Sequence, residues 1–442
     1  MTDTTQKQTI AALDIGTTKV CALVGRRDDH GRVEILGTGK VESEGVMRGV
    51  VTNIDKTIRA IREARRLAEQ SSGENFDVVH VGIAGQHIKS LQHRGMLMRD
   101  NAQSEISQQD INRLIGDMHK LVLPPGDKIL HVIPQEYTVD NEQGIVDPIG
   151  MSGSKLEANF HIITGQITAS NNINRCVERA GLRMANVTLE PIASGASVLY
   201  DDEKYAGVAL VDIGGGTTDI TIFQEGIIRH TAVIPFGGHV ITKDIKSGCT
   251  VMEEHAEKLK VNYGSALASE VFDNRMIVIP GLRGREPKEI SEKNLALIIQ
   301  ARAEEILEHV MWEIRRAGFD GNKLIGGIVL TGGGALLRDF DKLTMLHTGM
   351  SARIGSPVEH LAHGYTEKLT SPIYATGVGL LLQGFADIDA GRVKVAPPKK
   401  EEPVTELELE EQIKEEAAGP NWFDNVFKRT KEWFEAEPDR DF

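Results

Sequence analysis

Two stretches of this chain repeat one arrangement of residues able to hold a polyphosphate. The first is ALDIGTTKV, residues 12–20, and the second LVDIGGGTTDI, residues 210–220. Each carries a hydrophobic run ending in an aspartate (Asp14 or Asp212), turns through glycine and then presents a Thr-Thr pair. Glycine lets the backbone approach closely, and successive N–H groups with threonine hydroxyls donate to phosphate oxygens. Gly16, Thr17, Thr18 and Lys19 are therefore expected to grip phosphates from one wall of a cleft. Gly214, Gly215, Gly216, Thr217 and Thr218 are expected to do so from the other. Asp14 and Asp212, facing each other, would hold Mg²⁺ through its retained waters. A third stretch, IGGIVLTGGGALL at 325–337, reads as a buried strand running through Gly332, Gly333 and Gly334 into a helix. The N–H groups and positive dipole end of such a helix suit an anion. Any one of these turns is ordinary turn chemistry, but the set of three points to a nucleotide. Neither G-x-G-x-x-G nor a GK[ST] helix start follows the first strand, which argues against dinucleotide-binding and P-loop folds.

The elements that must position these residues alternate between strand-like and helix-like runs, the pattern of an α/β protein. Thr9–Ile15 and Lys19–Val24 read as strands around the first turn. Thr52–Glu69 reads as a helix, with Thr52 or Asn53 at its N-cap and Ile54, Ile58, Ile61 and Leu67 on one face. Val78–Ala84 is expected to be a buried strand. Gly85–His161 changes character, with a Pro-Pro-Gly break at Pro124–Gly126, and reads as an inserted subdomain. A second α/β unit begins near Phe160. It is expected to contain strands at Val208–Asp212, Thr217–Phe223 and Gly327–Leu330 and a long helix at Leu295–Arg316. Thr376–Phe385 reads as a last core helix.

The formal net charge of −14 disfavours attraction of the whole chain to nucleic acid, and much of that charge lies between Glu401 and Glu416. Cys21, Cys176 and Cys249 are scattered with no CxxC pair, which suits a reducing compartment. The opening MTDTTQKQ lacks the features of a secretory signal, and no apolar run approaches a membrane span, so a cytosolic protein is expected. The histidines are dispersed without an H-x-x-x-H pair, so no metal beyond Mg²⁺ is expected. After Asp389 a Pro-, Glu- and Lys-rich stretch reads as a solvated, flexible tether. Asn421–Ala436 then forms an amphipathic pattern. On an ideal helix Trp422, Phe423, Val426, Phe427, Trp433 and Phe434 fall within about 140°. Lys428, Arg429 and Lys431 flank that face, as suits an anionic bilayer interface. Docking on the chain's own core or on a partner groove is the competing account, and the long acidic tether argues against the first.

The three glycine blocks resemble the phosphate-1, phosphate-2 and adenosine motifs of the actin, sugar-kinase and heat-shock-chaperone superfamily. LEPIASGAS at 189–197 resembles its connecting segment, where Glu190 matches the residue that positions an attacking water. EKLK at 257–260 resembles the pattern that places Glu257 and Lys260 beside the adenosine. Within the superfamily the chain is similar to the bacterial cell-division FtsA family from Thr9 onward. The blocks that carry this are DIGTTKVCALVG, EGVMRGVVTNI (44–54), HVIPQEYTVD (131–140), HAEKLKVNYGSA (255–266) and the terminal amphipathic segment. The resemblance implies an actin-like two-domain ATPase fold with a family-specific insert. It divides the chain into a first domain (1–84, 163–200 and 365–390), an insert (85–162) and a second domain (201–240 and 311–364) with a small subdomain (241–310). A linker (391–420) and a membrane-targeting helix (421–437) follow.

The resemblance also implies that the chain binds ATP with Mg²⁺, polymerises into actin-like filaments and is at most a weak ATPase, with nucleotide mainly supporting assembly. It implies a peripheral position on the inner face of the cytoplasmic membrane and recruitment of later division proteins through the insert. It further implies tethering of FtsZ, whose C-terminal peptide would meet Arg302 and Glu305. Read without the resemblance, those two are an exposed charge pair on a helix. A small-molecule kinase of the same superfamily is the alternative, but no Asp motif for its general base is found. A chaperone would need a substrate-binding β domain, for which the tail is too short.

Overall fold

The computed structural model describes residues 8–281, 286–319, 323–362 and 367–392. The expected tether and the amphipathic segment at 421–437 lie outside the described residues. Strands β1 (Thr9–Ile15), β2 (Lys19–Arg27) and β3 (Val33–Glu42) form an antiparallel meander. A short ribbon of β4 (Val46–Met47) and β5 (Val50–Val51) leads to helix α1 (Ile54–Ser72) and to β6 (Val78–Ile83), which lies parallel to β1. Asn53 caps α1 by accepting from the Lys56 N–H, and Gly73 ends it at φ 72°. The helix buries Ile58, Ile61, Ala64 and Ala68; Leu67 is only half-buried.

The chain then leaves this sheet for a separate one. Strand β7 (Lys89–Met98), helix α2 (Gln108–Met118), and strands β8 (Asp127–Val139), β9 (Glu142–Ile145) and β10 (Lys155–Gln166) build a four-stranded sheet in the order β7-β10-β8-β9. Its core is its own, with Leu114 and Met118 of α2 packed among Leu156, Phe160 and Ile162. Helix α3 (Ile167–Arg179) and β11 (Arg183–Leu189) return to complete the first sheet, β11-β6-β1-β2-β3. Helices α4 (Glu190–Val198) and α5 (Asp201–Ala206) connect to the second half.

There the design repeats. Strands β12 (Val208–Ile213), β13 (Thr218–Gln224) and β14 (Ile227–Ile234) form another antiparallel meander. Helices α6 (Gly238–Cys249) and α7 (Glu253–Tyr263), ribbon β15 (Met276–Ile279) with β16 (Lys288–Ser291), and helix α8 (Glu292–Arg316) follow. Strand β17 (Gly327–Thr331), helix α9 (Phe340–Thr348) and β18 (Ala352–Ile354) complete a sheet of order β14-β13-β12-β17-β18. In both sheets the first three strands are antiparallel and the last two parallel, so they share one topology.

Helix α10 (Ala375–Asp389) crosses α4, and both lie between the sheets. Their crossing is built on small residues. A side chain at Gly379 would place its Cβ 1.8 Å from Ala193 O, and one at Gly195 would press on Phe223. Two expectations change. The long helix begins at Glu292, capped by Ser291, rather than at Leu295. The Gly332–Gly334 turn leads into a single 3₁₀ turn at Gly334–Leu336, and α9 starts only at Phe340. The glycines therefore do not sit at an α-helix N-terminus.

Candidate nucleotide-binding site

The two hairpins close with the same bond. Gly16 N donates to Lys19 O at 2.9 Å, and Gly214 N to Thr217 O at 2.9 Å. Ile15 pairs with Val20 and Ile213 with Thr218, so four residues span each turn. This register aligns Thr17 and Thr18 with Gly215 and Gly216, and it aligns Lys19 with Thr217. The two Thr-Thr pairs are therefore not equivalent. Thr17 and Thr18 are in the turn. Thr218 is a strand residue with no exposed surface, its hydroxyl donating to Phe236 O at 2.9 Å, so its expected phosphate contact is not supported.

The remaining expected residues from Asp14 to Lys19 and from Asp212 to Thr217 line one cleft of about 740 Å³, together with Glu190, Glu257, Lys260 and Gly332–Gly334. The turns meet across it. A Cβ on Gly215 would lie 1.9 Å from Thr18 Oγ1, and one on Gly216 would lie 2.6 Å from Thr17 Oγ1 and 3.0 Å from the Arg48 backbone. Gly49 N also donates to Thr17 Oγ1 at 3.2 Å. This is the closed arrangement of a clamp.

Four carboxylates gather at the floor. Asp14, Asp212 and Asp219 are buried, and Glu190 is ringed by protein yet reached by solvent from the cleft. Burial, then Asp14, Asp219 and Asp212, pushes the Glu190 carboxyl well above its usual range. Burial raises the Asp212 carboxyl despite the Ser194 hydroxyl, which donates to it at 2.5 Å. Burial and then Asp212 raise Asp219 to about 8. Lys19 bonds to Asp14. Burial works against the lysine's charge, but Asp14 raises it above the ordinary lysine range.

This donor set fits a hard divalent cation. Four acids crowd around Lys19, with Lys40 and Lys260 also on the cleft lining, and that crowding is what a bound cation would relieve. Among the described residues no three His, Cys, Asp or Glu side chains stand close enough to enclose a metal directly.

On the far side, Lys260 Nζ is 2.7 Å from Glu257 Oε2 and donates to Gly238 O at 3.1 Å. Ile241, Val261, Leu336, Leu337 and Ile373 make this part of the cleft apolar, as a slot for a planar base requires. Arg302 and Glu305 lie outside the cleft on α8. They bond to each other, and Arg302 Nε donates to Asp244 of α6 at 2.5 Å. Asp219, Thr376 and Arg338 also line the cleft and Ser194 braces Asp212, beyond the residues expected from the sequence. Asp219 was legible as the acid ending GGGTTD, and Ser194 lies inside LEPIASGAS; the other two reach the cleft only through folding.

The fold and the cleft together define an actin-like protein, two topologically matched halves about a nucleotide-sized cleft. Among solved structures, the PilM-PilN type IV pilus biogenesis complex matches with TM-score 0.61 at 13% identity, covering 85% of this chain and 98% of that one. MreB5 of Spiroplasma citri bound to ADP matches with TM-score 0.52 at 14% identity, covering 87% and 98%. The chain belongs to the FtsA family of cell-division proteins. The model of "Cell division protein FtsA" matches residues 209–379, and that of the SHS2 domain inserted in FtsA matches 85–164. The FtsA of Pseudomonas aeruginosa is 42% identical over 377 residues, which is 85% of this chain and 89% of that protein. That of Escherichia coli K12 is 35% identical over 391 residues, 87% of this chain and 92% of that protein.

Proposed function

We propose that this division protein is an ATP-binding scaffold that polymerises on the inner face of the cytoplasmic membrane, tethers FtsZ there and recruits later division proteins. The observation that carries this reading is the closed cleft, in which two duplicated turns from opposite halves meet above four carboxylates. In this reading the ATP phosphates lie between Gly16–Lys19 and Gly214–Thr217, and the base lies beside Glu257, Lys260 and Gly332–Gly334. Mg²⁺, held by Asp14 and Asp212 through water, neutralises phosphate charge when bound. Glu190 positions a water at the floor, and any hydrolysis is slow. A ligand gripped by both halves stabilises their closed relation, which sets the shape offered to the next copy in a filament.

The division into domains at 1–84, 85–162, 163–200, 201–240, 241–310, 311–364 and 365–390 belongs to this proposal. So does an FtsZ peptide site at Arg302 and Glu305, whose partner Asp244 holds the guanidinium in place. The membrane anchor is the Trp- and Phe-faced segment 421–437 behind the linker 391–420. No helix among the described residues is long and apolar enough to cross a membrane. One such segment binds weakly, and a filament multiplies it by avidity.

Sedimentation with anionic-lipid vesicles, with and without ATP, tests the proposal on the full chain and on one ending at Gly419. The full chain should pellet, more so with ATP, and the shortened chain should stay in solution. A full chain that ignores vesicles under both conditions removes the scaffold reading. Phosphate transfer to a small acceptor would favour a kinase instead.

A further inference from the structure

The four-stranded insert is joined covalently to the first half of the molecule, yet it also holds the second half. Ser90 Oγ donates to Thr231 O at 3.0 Å, and Gln92 Nε2 donates to Arg229 O at 3.2 Å. From β8, Gln135 Nε2 donates to Ile228 O at 2.7 Å, while Arg229 Nη1 donates to Glu136 Oε1 at 2.5 Å. In the middle of the contact His161 Nε2 stands 2.9 Å from Thr231 Oγ1, and both residues are buried. All the partners on the second half lie on β14, the outer strand of its sheet. The same insert reaches the approach to the crossing helices, where Leu189 N donates to His131 Nε2 at 3.0 Å just before α4.

We infer that the insert is a strut across the nucleotide cleft, coupling the opening of the cleft, and so nucleotide exchange, to the insert's orientation. This rests on the cleft binding nucleotide as proposed above. The halves are connected through α4 and α10. A rotation that parts Gly215 from Thr18 also displaces β14 relative to the first sheet. The insert must then either release β14 or swing with it. Release strands His161, Thr231 and Gln135, all buried, until water reaches them, so the contact favours two discrete arrangements over a graded slide. The coupling is reciprocal: a ligand that pulls the insert from β14 opens the cleft, and nucleotide that closes the cleft fixes the insert.

The test uses the full chain and a fluorescent ATP analogue with Mg²⁺, chased by excess ATP. Gln92→Ala combined with Gln135→Ala removes bonds to two β14 carbonyls without touching the cleft, and release should quicken about tenfold. Thermal unfolding of the nucleotide-free variant checks that it folds. Hydrogen exchange on the unaltered chain gives a second reading, in which nucleotide should slow exchange along β14 and along β7 and β8 together. Unchanged release from a folded variant, or protection of the hairpins with none at β14 and the insert, overturns the strut. If the unaltered chain binds no analogue, the nucleotide reading falls and takes the strut with it; if it binds and release is unchanged, the strut alone falls.

Discussion

Asp212 and Asp219 stand directly opposite each other across the β12–β13 hairpin, at the register where the first hairpin sets Asp14 against Cys21. Cross-strand partners share a face, so the second hairpin aims two acids at the cleft where the first aims one. Asp219 Oδ2 accepts from Thr217 Oγ1 at 3.1 Å, while its Oδ1 is buried with no hydrogen-bond partner among the described residues. Such an oxygen costs stability unless a ligand or water reaches it. Asp219→Asn should therefore stabilise the nucleotide-free chain by about 1–2 kcal/mol. It should also shrink the rise in Tm that Mg-ATP produces. Thermal unfolding with and without Mg-ATP reads both effects.

Gly215 is where the two turns touch. Valine there would drive its branched side chain into Thr18 and hold the hairpins apart. Overpacking of this kind typically costs 1–3 kcal/mol, so ATP affinity should fall roughly 10- to 100-fold. Parting the hairpins relieves the clash, so the Tm without nucleotide should fall by less than the Tm with Mg-ATP. Equilibrium dialysis with labelled ATP checks the first and calorimetry the second.

Glu190→Gln preserves shape while removing the titratable carboxyl that burial and three aspartates hold well above its usual range. ATP should bind within about threefold of normal affinity, while phosphate release falls by about 10²-fold, the usual scale of one positioned acid–base group. Unchanged phosphate release would deny Glu190 its role with water.

Gly379→Ala tests the α4–α10 crossing. Its Cβ would sit 1.8 Å from Ala193 O and 2.3 Å from the Ala193 carbonyl carbon, contacts that no rotamer relieves because both are backbone atoms. Helices α4 and α10 must separate, at about 3 kcal/mol or more, and the urea midpoint should drop accordingly. A change confined to ATP affinity would show that the crossing is softer than its packing implies.

Acid should loosen the insert. Burial lowers His131 to about 4, partly offset by Asp387, and burial with His230 lowers His161 to about 4. An unfolded histidine titrates near 6.5, so between pH 6.5 and 4 the unfolded chain binds protons that the folded chain does not. Stability present above pH 6.5 is then lost as pH falls, by about 2 kcal/mol per histidine at pH 5 and about 3 at pH 4. Urea unfolding at pH 7.5 and pH 5 should show the loss, and His161→Gln should reduce it.

Much of the site was legible because a glycine turn after a buried strand is a local device. The residues from Asp14 to Lys19, Glu190, Glu257 and Lys260 all line the cleft where the motifs suggested. The Thr-Thr repeat misled because matching letters is not matching register. The second turn spends three glycines before its threonines, which moves Thr218 into the strand and under Phe236 O. The helix expected after Gly334 failed for a related reason, since Pro-free glycines say where a chain turns and not how soon a helix resumes.

The sequence by itself determined the α/β alternation, the duplicated Asp-Gly turns and the presence of an insert, since these depend on hydrophobic periodicity and on neighbours a few residues apart. Tertiary structure alone decided that Asp219 faces Asp212, that Ser194 and Thr376 brace the same carboxylate, and that the insert fastens to β14. Those relations join residues brought together by strand register and helix crossing. Register is set by long-range pairing and burial of whole faces, which no short window of residues contains.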